Sequence, residues 1–180
     1  MTPTADCEIV LARPAQRAAL ENPFQLYVHD FSELWSGLAH GELEEDGRFP
    51  PYLHLDAYWS EEGRVPLLVR RGGRLAGFAL LDRLSHVGER VDRNMAEFFI
   101  ARKHRRTGLG AAAMDAIFQR YAGVWETAVA RRNLPALAFW RRVIGDHPLV
   151  VDLQETDVRS GAWDGWVLRY RVKDAGAGES

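Results

Sequence analysis

Short apolar runs alternate along the chain with stretches in which apolar residues recur every three or four positions. Residues 8–12 read as a strand closed by Arg13-Pro14. Leu20, Phe24, Tyr27, Phe31, Leu34 and Leu38 then follow helical spacing and predict a pair of helices, with Pro23 in the first turn of the second. Residues 41–51 are acidic and carry two prolines and two glycines, the composition of a loop. Strands are predicted at 65–69 and 74–81, joined through Gly72-Gly73 as a hairpin. Residues 95–101 are apolar except for Glu97, as in a strand buried on both faces. A helix over 108–121 places Leu109, Ala113, Ile117 and Tyr121 on one stripe, and a short strand follows at 125–130. Asn133 is placed as the N-cap of a helix with Pro135 in its first turn and Leu137, Trp140 and Ile144 along one face. Strands at 149–153 and 163–172 complete the order β-α-α-β-β-β-α-β-α-β-β, which implies an α/β sheet of mixed direction flanked by helices.

Composition narrows this picture. At 180 residues, one domain is expected over 1–172, with a small, polar tail at 173–180. Lys and Arg total 23 against 25 Asp and Glu, so a generally basic nucleic-acid binder is disfavoured. A single cysteine, Cys7, excludes an intrachain disulfide. Neither a leader nor an apolar run of membrane-spanning length is visible, and a cytoplasmic protein without membrane contact is the default expectation. Six histidines show no metal-ligand spacing and there is no Gly-x-Ser-x-Gly elbow, so neither a metal site nor a serine hydrolase is expected.

The chemistry concentrates between Glu97 and Ile144. After the apolar strand come five basic residues at 102–106, then Thr107-Gly108-Leu109-Gly110, then a helix opening on Ala111. Glycines let backbone N–H groups approach a ligand closely, and a helix N-terminus favours anions. A strand, glycine turn and helix in this order suit a pyrophosphate-bearing cofactor. A glycine turn beside a solvated basic surface explains the same residues equally well. Gly108-x-Gly110-x-x-Ala113 fits the loose dinucleotide fingerprint, but six residues separate it from the strand, and the following strand lacks an acidic residue at its end. No Gly-Lys-Ser/Thr follows either, which removes the nucleotidase phosphate loop.

Arg105-x-x-Gly108-x-Gly110 resembles the Gln/Arg-x-x-Gly-x-Gly/Ala motif of the GNAT superfamily of acyl-CoA-dependent N-acyltransferases. Downstream, Asn133-x-x-Ala136-x-x-Phe139-Trp140 is similar to that family's Asn-x-x-Ala-x-x-Phe-Tyr. The resemblance covers roughly residues 65–144 and implies a mixed, mostly antiparallel sheet in one α/β domain, with acetyl-CoA as cosubstrate. It implies that Phe98, Phe99 and Ile100 pair with the pantetheine arm and that amides of Arg106, Thr107, Gly108, Leu109, Gly110 and Ala111 hold the pyrophosphate. Asn133 would lie near the thioester, with Phe139 beside the pantetheine. Trp140 stands where the family usually has a tyrosine that hydrogen-bonds or protonates the departing thiolate, and indole has no usable acid.

Glu97, a carboxylate in an apolar strand, is the candidate general base, since burial raises a carboxyl toward the range that suits proton abstraction. A structural ion pair with an arginine is the equal alternative. Tyr27, His29, Asp30, Asp56, Tyr58 and Trp59 are candidates for lining an acceptor pocket. The leading reading is acetyl transfer to a primary amine, of a small molecule or a peptide, by direct attack in a ternary complex. A non-catalytic CoA-binding or sensor module is the alternative, kept open by Trp140, and a transferase acting on aminoacyl-tRNA is disfavoured by the charge. Homodimer formation is left open.

Overall fold

The computed structural model describes residues 6–36, 38 and 41–176. Seven strands form one sheet: β1 (Cys7–Leu11), β2 (Val65–Arg71), β3 (Arg74–Asp82), β4 (Arg93–Ile100), β5 (Gly123–Ala130), β6 (Val150–Arg159) and β7 (Asp164–Val172). Their spatial order is β1-β2-β3-β4-β5-β7-β6. Every neighbouring pair is antiparallel except β4–β5. Four helices among the described residues cover the two faces: α1 (Ala18–Ser32), α2 (Ala57–Ser60), α3 (Leu109–Arg120) and α4 (Leu134–Gly145).

The element order is the one expected from periodicity. The turn between β2 and β3 falls on Gly72 and Gly73, both at positive φ (55° and 70°), a pairing that matches the right-handed twist of a tight hairpin. Residues 41–51 contain neither helix nor strand. Two local expectations are corrected. Pro23 lies inside a single continuous helix, α1, instead of opening a second one. The missing N–H is tolerated because Leu20 and Val28 are buried and Phe24 and Tyr27 pack against the sheet, so tertiary contact outweighs the lost bond. The second helix is the short α2, far downstream. Strand β6 extends to Arg159, six residues beyond the apolar run, because its outer half is an exposed edge where β7 supplies the pairing and no side chain needs burial. Residues 177–180 of the expected tail lie outside the described residues.

The core has two parts. On one face α3 and α4 pack Leu109, Ala113, Ile117, Leu137, Trp140 and Ile144 against Met95, Trp125 and Leu168. On the other, Leu20 of α1 and Leu55 and Tyr58 around α2 meet Leu68, Phe78, Leu80 and Phe99. Among the described residues no helix is long and apolar enough to cross a membrane.

Candidate functional site

Two irregularities of β4 create the site. Its pairing with β5 covers only Arg93↔Trp125 and Asn94↔Glu126. Beyond that point the two parallel strands separate, and the β5-facing edge of residues 95–100 has no ladder partner among the described residues. The second irregularity is a bulge: Leu80 pairs with Glu97 whereas Leu81 pairs with Met95, so Ala96 is an extra residue. A bulge resets the alternation of side chains. Met95, Phe98 and Ile100 join the core under α3 and α4, while Ala96 packs on the opposite face with Phe99. Glu97 is thereby turned away from α3 and α4 and toward α1.

There the Tyr27 hydroxyl of α1 donates to Glu97 Oε2 at 2.5 Å. Burial pushes the Glu97 carboxyl up to about 7, against the bond from Tyr27, with the charge of Asp82 adding and that of His86 subtracting. Glu97 has no arginine partner among the described residues, which removes the ion-pair alternative. The Tyr52 hydroxyl, also near this carboxylate, is pushed up to about 12 by burial and by the Glu97 charge.

The glycine segment forms the lip of the opening at the end of β4. Gly108 caps α3 in the left-handed region (φ 86°), and Arg106 adopts it too (φ 60°), unusual for a residue with a side chain. Among the described residues, none of the amides of 106–111 donates to a protein acceptor, and the first helical bond into the segment is Ala112 N–H to Gly108 O at 3.0 Å. Space beside Gly108 is open, with no atom within 4 Å of where a Cβ would lie. This fits a phosphate-bearing ligand in chemistry and in space. Gly110 serves a different end: a Cβ there would meet the Phe139 ring at 3.1 and 3.2 Å, so its lack of a side chain is what lets α3 and α4 approach.

Phe139 stacks on Phe98 at 5.9 Å between centroids, and the buried Trp140 ring lies 5.3 Å from Phe98. These aromatics pack β4 against α4. Trp140 acts as a packing residue there. Asn133 caps α4 as expected, its Oδ1 accepting from Ala136 N–H at 3.2 Å, which leaves its amide NH2 as the group able to face a ligand.

Several expected site residues have structural partners. Arg105 donates to Ile100 O at 2.6 Å and pairs with Asp30, which also holds Arg102. Burial works against the Asp30 charge, but these two guanidiniums keep its carboxyl below the usual range. Asp30 is thus a clamp joining α1 to the glycine segment, and Arg105 is committed to it. Asp56 pairs with Arg17, and Trp59 Nε1 donates to Ala12 O at 2.9 Å. His29 is exposed, its ring 6.2 Å from that of Phe49. Of the six acceptor-side candidates, only Tyr27 hydrogen-bonds Glu97.

Sequence reasoning missed Glu126, fully buried on β5 at the base of the opening. Its Oε1 accepts from His86 N–H at 2.6 Å and faces His86 Nδ1 at 3.0 Å, and its Oε2 accepts from Ser85 Oγ at 2.7 Å. Burial opposes the charge, yet these bonds hold it below the ordinary glutamate value. Glu126 pins the loop between β3 and β4 over this side of the sheet; an acid in an apolar strand was the one available signal. No group of three or more His, Cys, Asp or Glu among the described residues could hold a metal ion.

The sheet is thus opened between its two parallel strands, with unpaired amides where β4 ends and a carboxylate of raised pKa on β4 itself. The profile of the Acetyltransferase (GNAT) family matches residues 22–145, and the chain belongs to that family, a class of acetyl-CoA-dependent acyltransferases. No curated protein matches the chain by sequence. Among solved structures, an acetyltransferase from Thermus thermophilus superimposes with TM-score 0.58 at 16% identity, over 93% of this chain and 96% of that one. The PaiA N-acetyltransferase from Thermoplasma acidophilum in complex with coenzyme A gives TM-score 0.56 at 10% identity, over 91% and 97%. A GNAT-family acetyltransferase from Staphylococcus aureus gives 0.55 at 13%, over 93% and 99%. At such identities these likenesses speak for the fold.

Proposed function

We propose that this chain transfers an acetyl group from acetyl-CoA to a primary amine by direct attack within a ternary complex. The observation that carries the reading is what β4 brings together: an unpaired strand edge, six amides without protein acceptors where the strand ends, and the Glu97 carboxyl of raised pKa on the same strand. The amides of residues 106–111 suit the pyrophosphate, the open edge at Phe98, Phe99 and Ile100 suits the pantetheine arm, and Phe98 with Phe139 offers it an apolar wall. Acetyl-CoA supplies the activated acetyl thioester. Glu97 removes a proton from the incoming ammonium, and Tyr27 holds the carboxylate in place while it does so.

The amine nitrogen forms the new C–N bond and the C–S bond breaks; coenzyme A leaves as thiolate, which takes up the second proton lost by the nitrogen as the amide forms. A thiol of pKa roughly 8.5 is an acceptable leaving group at neutral pH, so catalysis proceeds with the packing indole of Trp140 where an acid would otherwise stand.

Calorimetric titration with acetyl-CoA and CoA, with NADH as control, tests the cofactor. Micromolar binding of the CoA species alone is expected, followed by amine-dependent thiol release. Binding without thiol release across a broad amine panel would instead establish the CoA-binding module, and no binding would overturn the reading altogether.

A further inference from the structure

On the Glu97 face of the sheet, between α1 and residues 48–55, lies a partly open pocket of about 90 Å³. Most of its lining is apolar, with Leu20 and Phe24 of α1, Leu55, Phe78, Leu80 and the Tyr52 ring, and Gln25 adds a polar group. Leu80 is the cross-strand partner of Glu97 and shares its face of the sheet. Directly opposed residues of an antiparallel pair have Cβ atoms about 5 Å apart, so Leu80 of the pocket floor is the immediate neighbour of Glu97, which does not itself line the pocket. Tyr52 adds a second link, since its hydroxyl responds to the Glu97 charge and its ring packs on Phe24 at 4.8 Å.

The pocket is a built feature. The Gln25 amide grips the Phe49 backbone twice, accepting from its N–H at 2.8 Å and donating to its carbonyl at 3.1 Å, which fixes residues 48–51 over α1. Two charged residues, Glu21 and Arg48, also line it, and Glu21 is paired with Arg17. The one carboxylate of the lining is therefore already engaged by a guanidinium instead of standing ready for a second ammonium.

We propose that this pocket receives the carbon substituent of the acceptor amine, so that the substrates are primary amines bearing one compact aliphatic group, in preference to polyamines. The inference rests on the acyl-transfer reading and narrows its acceptor. An apolar cavity of about 150 Å³ takes up benzene, so one of this size accommodates roughly four carbons. An amine seated with its chain over Leu80 places its nitrogen at Glu97, where it loses a proton.

A straight-chain series from ethylamine to hexylamine tests this with the unmodified chain, by two readouts. One is kcat/KM from thiol release with acetyl-CoA; the other is the Kd of each amine by calorimetry with CoA present. Both should improve about fourfold per added methylene up to butylamine or pentylamine and then level off. Spermidine should be poorer than butylamine. A flat series in both readouts, or spermidine preferred over butylamine, would overturn the pocket assignment and leave the acyl-transfer reading standing. The slope in Kd without thiol release would support the pocket and remove the acyl-transfer reading. Leu20→Phe, which fills the pocket from α1, should flatten the series at least tenfold at butylamine with acetyl-CoA affinity unchanged. The wild-type series decides the question if that variant does not fold.

Discussion

Replacing Glu97 by Gln removes the charge but keeps an oxygen to accept from Tyr27. The folded carboxyl titrates at about 7, above the ordinary value of 4.5 that it regains on unfolding, because burial penalises its charged form. The folded state therefore holds this proton more tightly than the unfolded one. Stability from this group is greatest below pH 4.5 and falls as pH rises from there through about 7, then stays level. At 1.36 kcal/mol per tenfold change, the full cost of the ionised carboxylate is about 3 kcal/mol as an upper bound. Gln carries no such term. Glu97→Gln is expected to match the wild type near pH 4.5 and to be the more stable protein at pH 8, by about 2–4 °C in Tm per kcal/mol for a chain of this size. The same substitution should lower kcat/KM about a hundredfold or more above pH 7 and abolish the rise of the wild-type profile through about pH 7. Melting curves from pH 4.5 to 8, beside pH–rate profiles, measure both. A variant less stable than wild type at pH 8, or one whose Tm retains the wild-type pH dependence, would refute the assignment of a destabilised, proton-accepting carboxylate.

Tyr27→Phe removes the hydrogen bond that favours the charged form of Glu97, so the ascending limb of the pH–rate profile should move to higher pH, with acetyl-CoA affinity unchanged in calorimetry. Gly108→Ala meets no neighbouring atom but forces an alanine into the left-handed region, at about 1–2 kcal/mol; a Tm loss of a few degrees together with weaker acetyl-CoA binding is expected, and unchanged affinity would count against the amide cradle. Gly110→Ala drives a methyl against Phe139 and should destabilise the fold by displacing that ring from Phe98, a change visible in the thermal melt of the free protein. Trp140→Phe should lower Tm through lost packing while kcat with acetyl-CoA stays within about threefold, since the indole contributes no proton.

Much of this was determined by the sequence itself, because it rests on local chemistry. Apolar periodicity separates strands from helices, paired glycines at 72 and 73 specify the hairpin, and Asn133 before a proline-containing helix start specifies a cap. The two spaced motifs place the glycine segment and Asn133 at the ends of α3 and α4, and a carboxylate in an apolar strand marks Glu97 as costly and therefore noteworthy. The tertiary structure alone decided the rest. Which strand lies beside which, and that β4 and β5 part after a single pair of neighbours on each, depends on contacts between residues some 30 positions apart. The bulge at Ala96, which decides the face Glu97 occupies, has no signature in a strand that is apolar on both sides. Likewise, Asp30 and Arg105 carry ordinary surface residue types, and only the packing of α1 against the glycine segment commits them to each other. The pocket beside Leu80 arises from three separate segments, none of which encloses space until α1 and residues 48–55 close over β3. Periodicity reports what each segment buries, whereas a site is made by what different segments leave unpaired when they meet.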